Sequence, residues 1–190
     1  MSSNVLEALK NLRSNLHNVG SLNNWGKTVL NQGAIAKEKM DNFTLVTLGF
    51  NASGEREATP LANNTTKGYL VASPEEYMRE YESISSFFNG QGERVRIVTL
   101  EPGVRFECSN VDFDQKTSGA ISSGHPLKNG QHAHYDHTSK KFIISNHASA
   151  DPSGVTNMNA GYRDAVNKVV LVDKDCTSID GQTVYRFEVI

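Results

Sequence analysis

Between Lys67 and Cys108 the sequence KGYLVASPEEYMREYESISSFFNGQGERVRIVTLEPGVRFEC changes its hydrophobic period twice, and this constrains the fold more than any other stretch. Tyr69–Val71 reads as a short strand. Ser73, Pro74 and Glu76 then suit the N-cap, N1 and N3 positions of a helix, with Glu75 beside its positive end. Tyr77, Tyr81, Ile84 and Phe88 follow at helical spacing, and Asn89-Gly90-Gln91-Gly92 supplies the left-handed positions that end a helix. An aromatic stripe of this kind belongs in a core. After the break, Glu93–Leu100 and Val104–Cys108 alternate on either side of Glu101-Pro102-Gly103, which predicts a hairpin. A chain centred on such a helix-plus-hairpin unit is expected to be α+β.

The segment before this unit reads differently. Val5, Leu6, Leu9, Leu12 and Leu16 mark one face of an amphipathic helix over 4–17, with Asn4 and Glu7 as a capping box and Gly20 as the stop. Such a helix packs on its own domain or docks on another subunit, and the residues leave both readings open. From Val19 to Thr66 the chain is polar and glycine-punctuated. A second short helix is expected around Lys27–Lys39, interrupted by Gly33, and a strand over Phe43–Phe50. Residues 1–66 are therefore expected to form a helical and extended arm held by a partner or a second copy. Leu6, Leu9, Leu12, Leu16 and Trp25 are its candidate contacts. Residues 67–190 form the expected body, ending in a mainly antiparallel β-sandwich or small barrel from strands at Gln131–Asp136, Lys141–Ser145, Lys168–Asp173 and Thr183–Ile190. Asn110–Gly130 and Asn146–Gly161 read as loops.

Composition narrows the function. The 190 residues carry a net charge of −2, with 37% hydrophobic and 21% charged residues. No global basic field favours nucleic acid. No run approaches the ~18 apolar residues of a membrane span. The first 17 residues carry Glu7, Lys10 and Arg13 where a signal peptide needs an apolar stretch, so synthesis in a host cytoplasm is expected. Cys108 and Cys176 are too few for a secreted disulfide scaffold and read as small hydrophobes near strands.

Five histidines, His125, His132, His134, His137 and His147, raise the question of a metal. His132 and His134 would share one face of a strand, with Asp136 continuing it, as mononuclear ligands do. The segment loosely resembles a cupin motif, from which it departs: Pro126 replaces the glycine, and Thr138 and Ser139 stand where a glutamate belongs. A metal-dependent β-barrel enzyme on His132, His134 and Asp136 is the rival reading; an exposed polar strand is the default, and no cofactor is expected. There is no G-x-S-x-G elbow, no Walker loop and no G-x-G-x-x-G opening a helix. Arg94, Arg96 and Arg105 would share a face of the predicted hairpin as phosphate contacts, but the interleaved Glu93, Glu101 and Glu107 favour ion-paired surface.

The pattern GYLVASPEEY…FFNGQGERVRIVTLEPGVRFECS, with NGQHAHYDHTSKKFIIS, VVLVDKD and YRFEVI behind it, resembles the capsid decoration (auxiliary or cement) proteins of tailed bacteriophages over roughly Gly68 to Ile190. The chain departs from them in the histidines of the 131–145 hairpin and in Lys140-Lys141, where a Thr-Gly turn is usual. The resemblance implies a non-enzymatic virion protein that binds the major capsid protein and stabilises the phage head, alone or as a homo-oligomer. A tail or baseplate adaptor is the alternative.

Overall fold

The computed structural model describes residues 18, 20–22, 29–75, 87–114, 121, 126–148, 160–178 and 181–190. Among them the chain is almost entirely β. The strands are β1 (Gly20–Leu22), β2 (Val29–Ala36), β3 (Leu45–Phe50), β4 (Arg56–Pro60), β5 (Tyr69–Val71), β6 (Arg94–Thr99), β7 (Arg105–Cys108), β8 (Val111–Phe113), β9 (Gln131–Asp136), β10 (Lys141–Ala148), β11 (Lys168–Thr177) and β12 (Thr183–Val189). One short helix, α1 (Ala160–Asp164), precedes β11. Strands β2-β4-β3-β5-β6 close a five-stranded barrel, and β1-β7-β12-β11-β9-β10-β8 form a seven-stranded sheet.

The α+β expectation is overturned by this arrangement. The helix expected over 4–17 and the centre of the one expected over 73–88 lie outside the described residues. Around Lys27–Lys39, where a second helix was expected, runs β2, paired antiparallel with β6 and parallel with β4. Gly33 lies inside the register shift between Leu30 and Ala34, where the residue that weakens a helix suits a bulge. The hydroxyl of Ser73, the expected N-cap, accepts from the Arg96 amide at 3.1 Å.

The expected β6–β7 hairpin is also overturned. β6 belongs to the barrel and β7 to the sheet, and Leu100–Val104 carries the chain between them, with Gly103 at φ +87°. The Glu101-Pro102-Gly103 turn is real, and the Val104 amide donates to the Glu101 carbonyl at 3.0 Å. The strands beyond it find other partners. The C-terminal sandwich or barrel is likewise corrected: the barrel is built from residues before 100, and the C-terminal strands make the open sheet. The expected boundary after residue 66 falls between β4 and β5, two strands of one barrel.

Period-2 alternation divides each barrel strand between two cores. Val46, Val71, Val95 and Ile97 fill the barrel with Ala34, Ala36, Ala58 and Met40. Their neighbours Leu45, Leu70, Ala72 and Val98 point the other way and pack on the sheet. The small alanines suit the narrow interior of a five-stranded barrel. On the facing sheet, Phe106, Phe142 and Phe187 meet with ring centroids 5.2–5.7 Å apart, and Phe43 joins them from the barrel side, 6.4 Å from Phe106. Phe43 holds φ +62°, a costly conformation for a bulky residue; its amide donates to Val71 at 2.7 Å and its carbonyl accepts from Asn110 at 3.3 Å.

Buried asparagines stitch the two units together. Asn167 accepts from the Gly68 amide at 2.8 Å and donates to the Thr66 carbonyl at 2.7 Å. Asn110 donates to both Phe43 and Lys140 carbonyls. Each bond satisfies a polar group that burial would otherwise strand.

Candidate functional site

The outer face of the sheet, away from the barrel, holds the histidines. On β9, Ala133 and Tyr135 face the shared core, so His132 and His134 face outward. They are nevertheless buried, with 7% and 3% exposure, because α1 lies over them. Tyr162 of α1 hydrogen-bonds His132 Nδ1 through its hydroxyl. Its ring centroid lies 5.5 Å from that of His132 and 5.9 Å from that of His134, edge-on to the latter. Lys168, which pairs with His134 across β9 and β11, sets its ammonium 4.7 Å from the centroid of Tyr162. Burial raises the Tyr162 phenol above its ordinary value, so it stays neutral. The default reading of an exposed polar strand is thereby corrected to a covered one.

Asp136, the third expected ligand, has another task. Its carboxylate accepts from the Ser139 amide at 2.9 Å and hydroxyl at 2.8 Å, and from Asn64 Nδ2 at 3.2 Å. Burial raises its pKa, but these hydrogen bonds and neighbouring His137 outweigh that and hold it below the ordinary carboxylate value. His137 is tied to Asn64 Oδ1 through its amide at 2.7 Å and Nδ1 at 2.9 Å. The 136–140 turn is thus cross-linked to the β4–β5 loop, with Lys140 at φ +57° closing it. Among the described residues no group of three His, Cys, Asp or Glu gathers as a metal site requires. His125 and the side chain of His147 lie outside the described residues.

The three arginines do not share one face, since Arg94 and Arg96 belong to β6 and Arg105 to β7. Arg94 sits on the barrel, 3.5 Å from Glu55, while Arg105 sits on the sheet, 2.5 Å from Glu188 directly across β7 and β12. Arg186 pairs in the same way with Glu107. Such opposite-charge cross-strand pairs make an ion-paired surface. Cys108 is buried, with its thiol pushed far up by burial. Cys176 is only partly buried on β11; burial and then the neighbouring Asp173 raise its thiol too.

Of the candidate contact residues, Leu6, Leu9, Leu12, Leu16 and Trp25 lie outside the described residues. The most exposed large apolar side chain among the described residues is Phe50, 73% exposed. It ends β3, which runs from buried to exposed as the β3–β4 hairpin leaves the barrel. Tyr162 was missed by the sequence reading; the available signal was a lone aromatic just beyond the polar loop of 146–161. Asn64, Asn110 and Asn167 gave no signal, because their partners are distant in sequence.

Comparison with known proteins adds a lineage. A family model described as "YonC prophage protein" matches residues 13–190. The chain is 38% identical over 179 residues to the "SPbeta prophage-derived uncharacterized protein YonC" of Bacillus subtilis (strain 168), covering 92% of this chain and 91% of that protein. No solved structure matches.

Proposed function

The chain belongs to the YonC prophage protein family, a phage-derived family, and on that premise we propose that it is a non-enzymatic structural protein of the virion, a decoration protein that binds the major capsid protein and stabilises the head. The observation that carries this reading is the single core shared by barrel and sheet. It fixes two β units as one rigid body, which is what a protein that works by docking needs, since little ordering is then left to oppose binding. The polar groups best placed for chemistry support it as well. Asp136, His137, Asn64 and Asn167 spend their hydrogen bonds on tying loops of the two units together. The ion-paired face of β7 and β12 and the β3–β4 hairpin with exposed Phe50 offer the contact surface.

The test is particle fractionation with heat challenge. The chain is expected to copurify with heads, and particles made without it are expected to release their genome at a lower temperature. Recovery in tail fractions alone would sink the head assignment in favour of an adaptor. Absence from particles altogether would overturn the structural role.

A further inference from the structure

We propose that the outward edge of β3 at Leu48–Phe50 pairs with the same edge of a second copy of this chain, two-fold about Gly49. Hydrogen-bond parity fixes which backbone groups take part. The Leu61 amide donates to the Leu45 carbonyl at 3.1 Å and the Asn51 amide to the Glu55 carbonyl at 2.9 Å. Both bonds extend the β3–β4 ladder, whose register runs from Val46 opposite Pro60 to Phe50 opposite Arg56. Bonding groups alternate from side to side along an antiparallel strand, so Leu45, Thr47, Gly49 and Asn51 turn theirs to β4. Val46, Leu48 and Phe50 turn theirs away, and Pro60, which has no amide to give, fits opposite Val46 for that reason. On the far side β5 takes Val46 through Tyr69 and pairs no further along β3. There the chain leaves the edge, because Asn167 holds the Gly68 amide and the Thr66 carbonyl. Among the described residues no strand pairs with the outward edge of Leu48 and Phe50.

Symmetry, charge and apolar cover select a second copy as the occupant. The outward groups sit one residue either side of Gly49. An antiparallel strand of identical sequence therefore sets Leu48 against Phe50 of the second copy and Phe50 against its Leu48, each donor meeting an acceptor. That register faces no like charges, and the edge carries none of the Lys, Pro or bulge devices that guard exposed strands. Leu48 is half-buried against the barrel core. Phe50, 73% exposed, lies on the same face two residues on, so each ring covers the other copy's leucine. The β8 edge of the sheet differs: its outward amides, Val111 and Phe113, are taken by the Ser109 carbonyl and the Asp112 carboxylate at 2.8 Å each. Two three-residue edges bury well under the ~1,200 Å² of a stable interface, so the pairing is weak in dilute solution and grows with concentration. It rests on strand geometry, whether or not the chain also binds a capsid protein.

Disulfide trapping in a Cys176→Ser background tests the register, since the remaining Cys108 is buried. Gly49 is exposed, with nothing within 4 Å of where a Cβ would stand. At the axis it meets its counterpart as a non-hydrogen-bonded pair, with Cα atoms about 4.5 Å apart, a span that a disulfide bridges. At equal protein concentration under mild oxidation, Gly49→Cys is expected to form a covalent dimer roughly tenfold or more faster than Ser53→Cys at the exposed tip, because pairing raises the effective concentration of its thiols. Adding Phe50→Pro, which removes an outward amide and leaves the β4 ladder intact, should abolish that advantage. Equal rates for the two cysteines would overturn the proposal, as would an advantage that Phe50→Pro leaves in place. So would trapping of Gly49→Cys solely to a different protein in lysates of cells producing the phage. The comparison of Gly49→Cys with Ser53→Cys decides the matter if the proline variant does not fold.

Discussion

Asp136 shows how one side chain ties a sequence-local turn to a distant loop. Its carboxylate organises the turn through Ser139 and reaches the β4–β5 loop through Asn64. Its folded pKa lies below the ordinary carboxylate value. A carboxylate lowered in this way contributes stability that is fully present above its unfolded value and is lost as pH falls through the folded value. Asp136→Asn, which mimics the protonated form, is therefore expected to cost about 1 kcal/mol near neutral pH, the net worth of a hydrogen bond. Urea titrations should show that gap shrinking below the unfolded value and closing once the folded value is passed; a gap constant with pH would contradict the linkage. The shared strand face of His132, His134 and Asp136 was legible from spacing two apart, because side-chain direction in a strand is a local property. The partners were not legible. Tyr162 and Asn64 arrive from elements far along the chain, and no local pattern records a contact made across a sheet.

At the scale of elements, agreement tracks how local the deciding interaction is. The β9–β10 hairpin forms as expected, since its strands are adjacent and the turn is closed by Asp136 and Lys140. β2 and the β6–β7 pair fail for the opposite reason. VLNQGAIA is ambiguous by propensity, and the open edges of β4 and β6 make it a strand; tertiary context overrides a weak local preference. The short β1 belongs to the segment expected to be an arm, yet it adds to the sheet along β7. Gly20 permits this approach: a Cβ there would collide with the Glu107 carbonyl and come within 2.7 Å of the Phe43 ring. Gly20→Ala is expected to cost about 1–3 kcal/mol, as over-packing does. Hydrogen exchange should show the loss concentrated in β1 and β7; unchanged exchange there would mean the edge pairing is not needed.

At the scale of the whole molecule, barrel and sheet share a core and are expected to unfold as one cooperative unit. Phe106 contacts Phe142 and Phe187 within the sheet and Phe43 across that junction. Phe106→Ala should cost about 3–5 kcal/mol, with barrel and sheet probes moving to one lower urea midpoint; two separated midpoints would show independent units. From the sequence alone came the short strands, the tight turns and the alternation of Val95 and Ile97 against Arg94 and Arg96 along β6, because these follow from backbone sterics and period-2 alternation within a few residues. Tertiary structure alone decided which faces met: that Val98 would leave the barrel while Ile97 filled it, that β6 and β7 would part at Gly103, and that α1 would cover His132 and His134. Such choices depend on the total apolar area buried and on which strand edges remain open, and both are properties of the assembled chain.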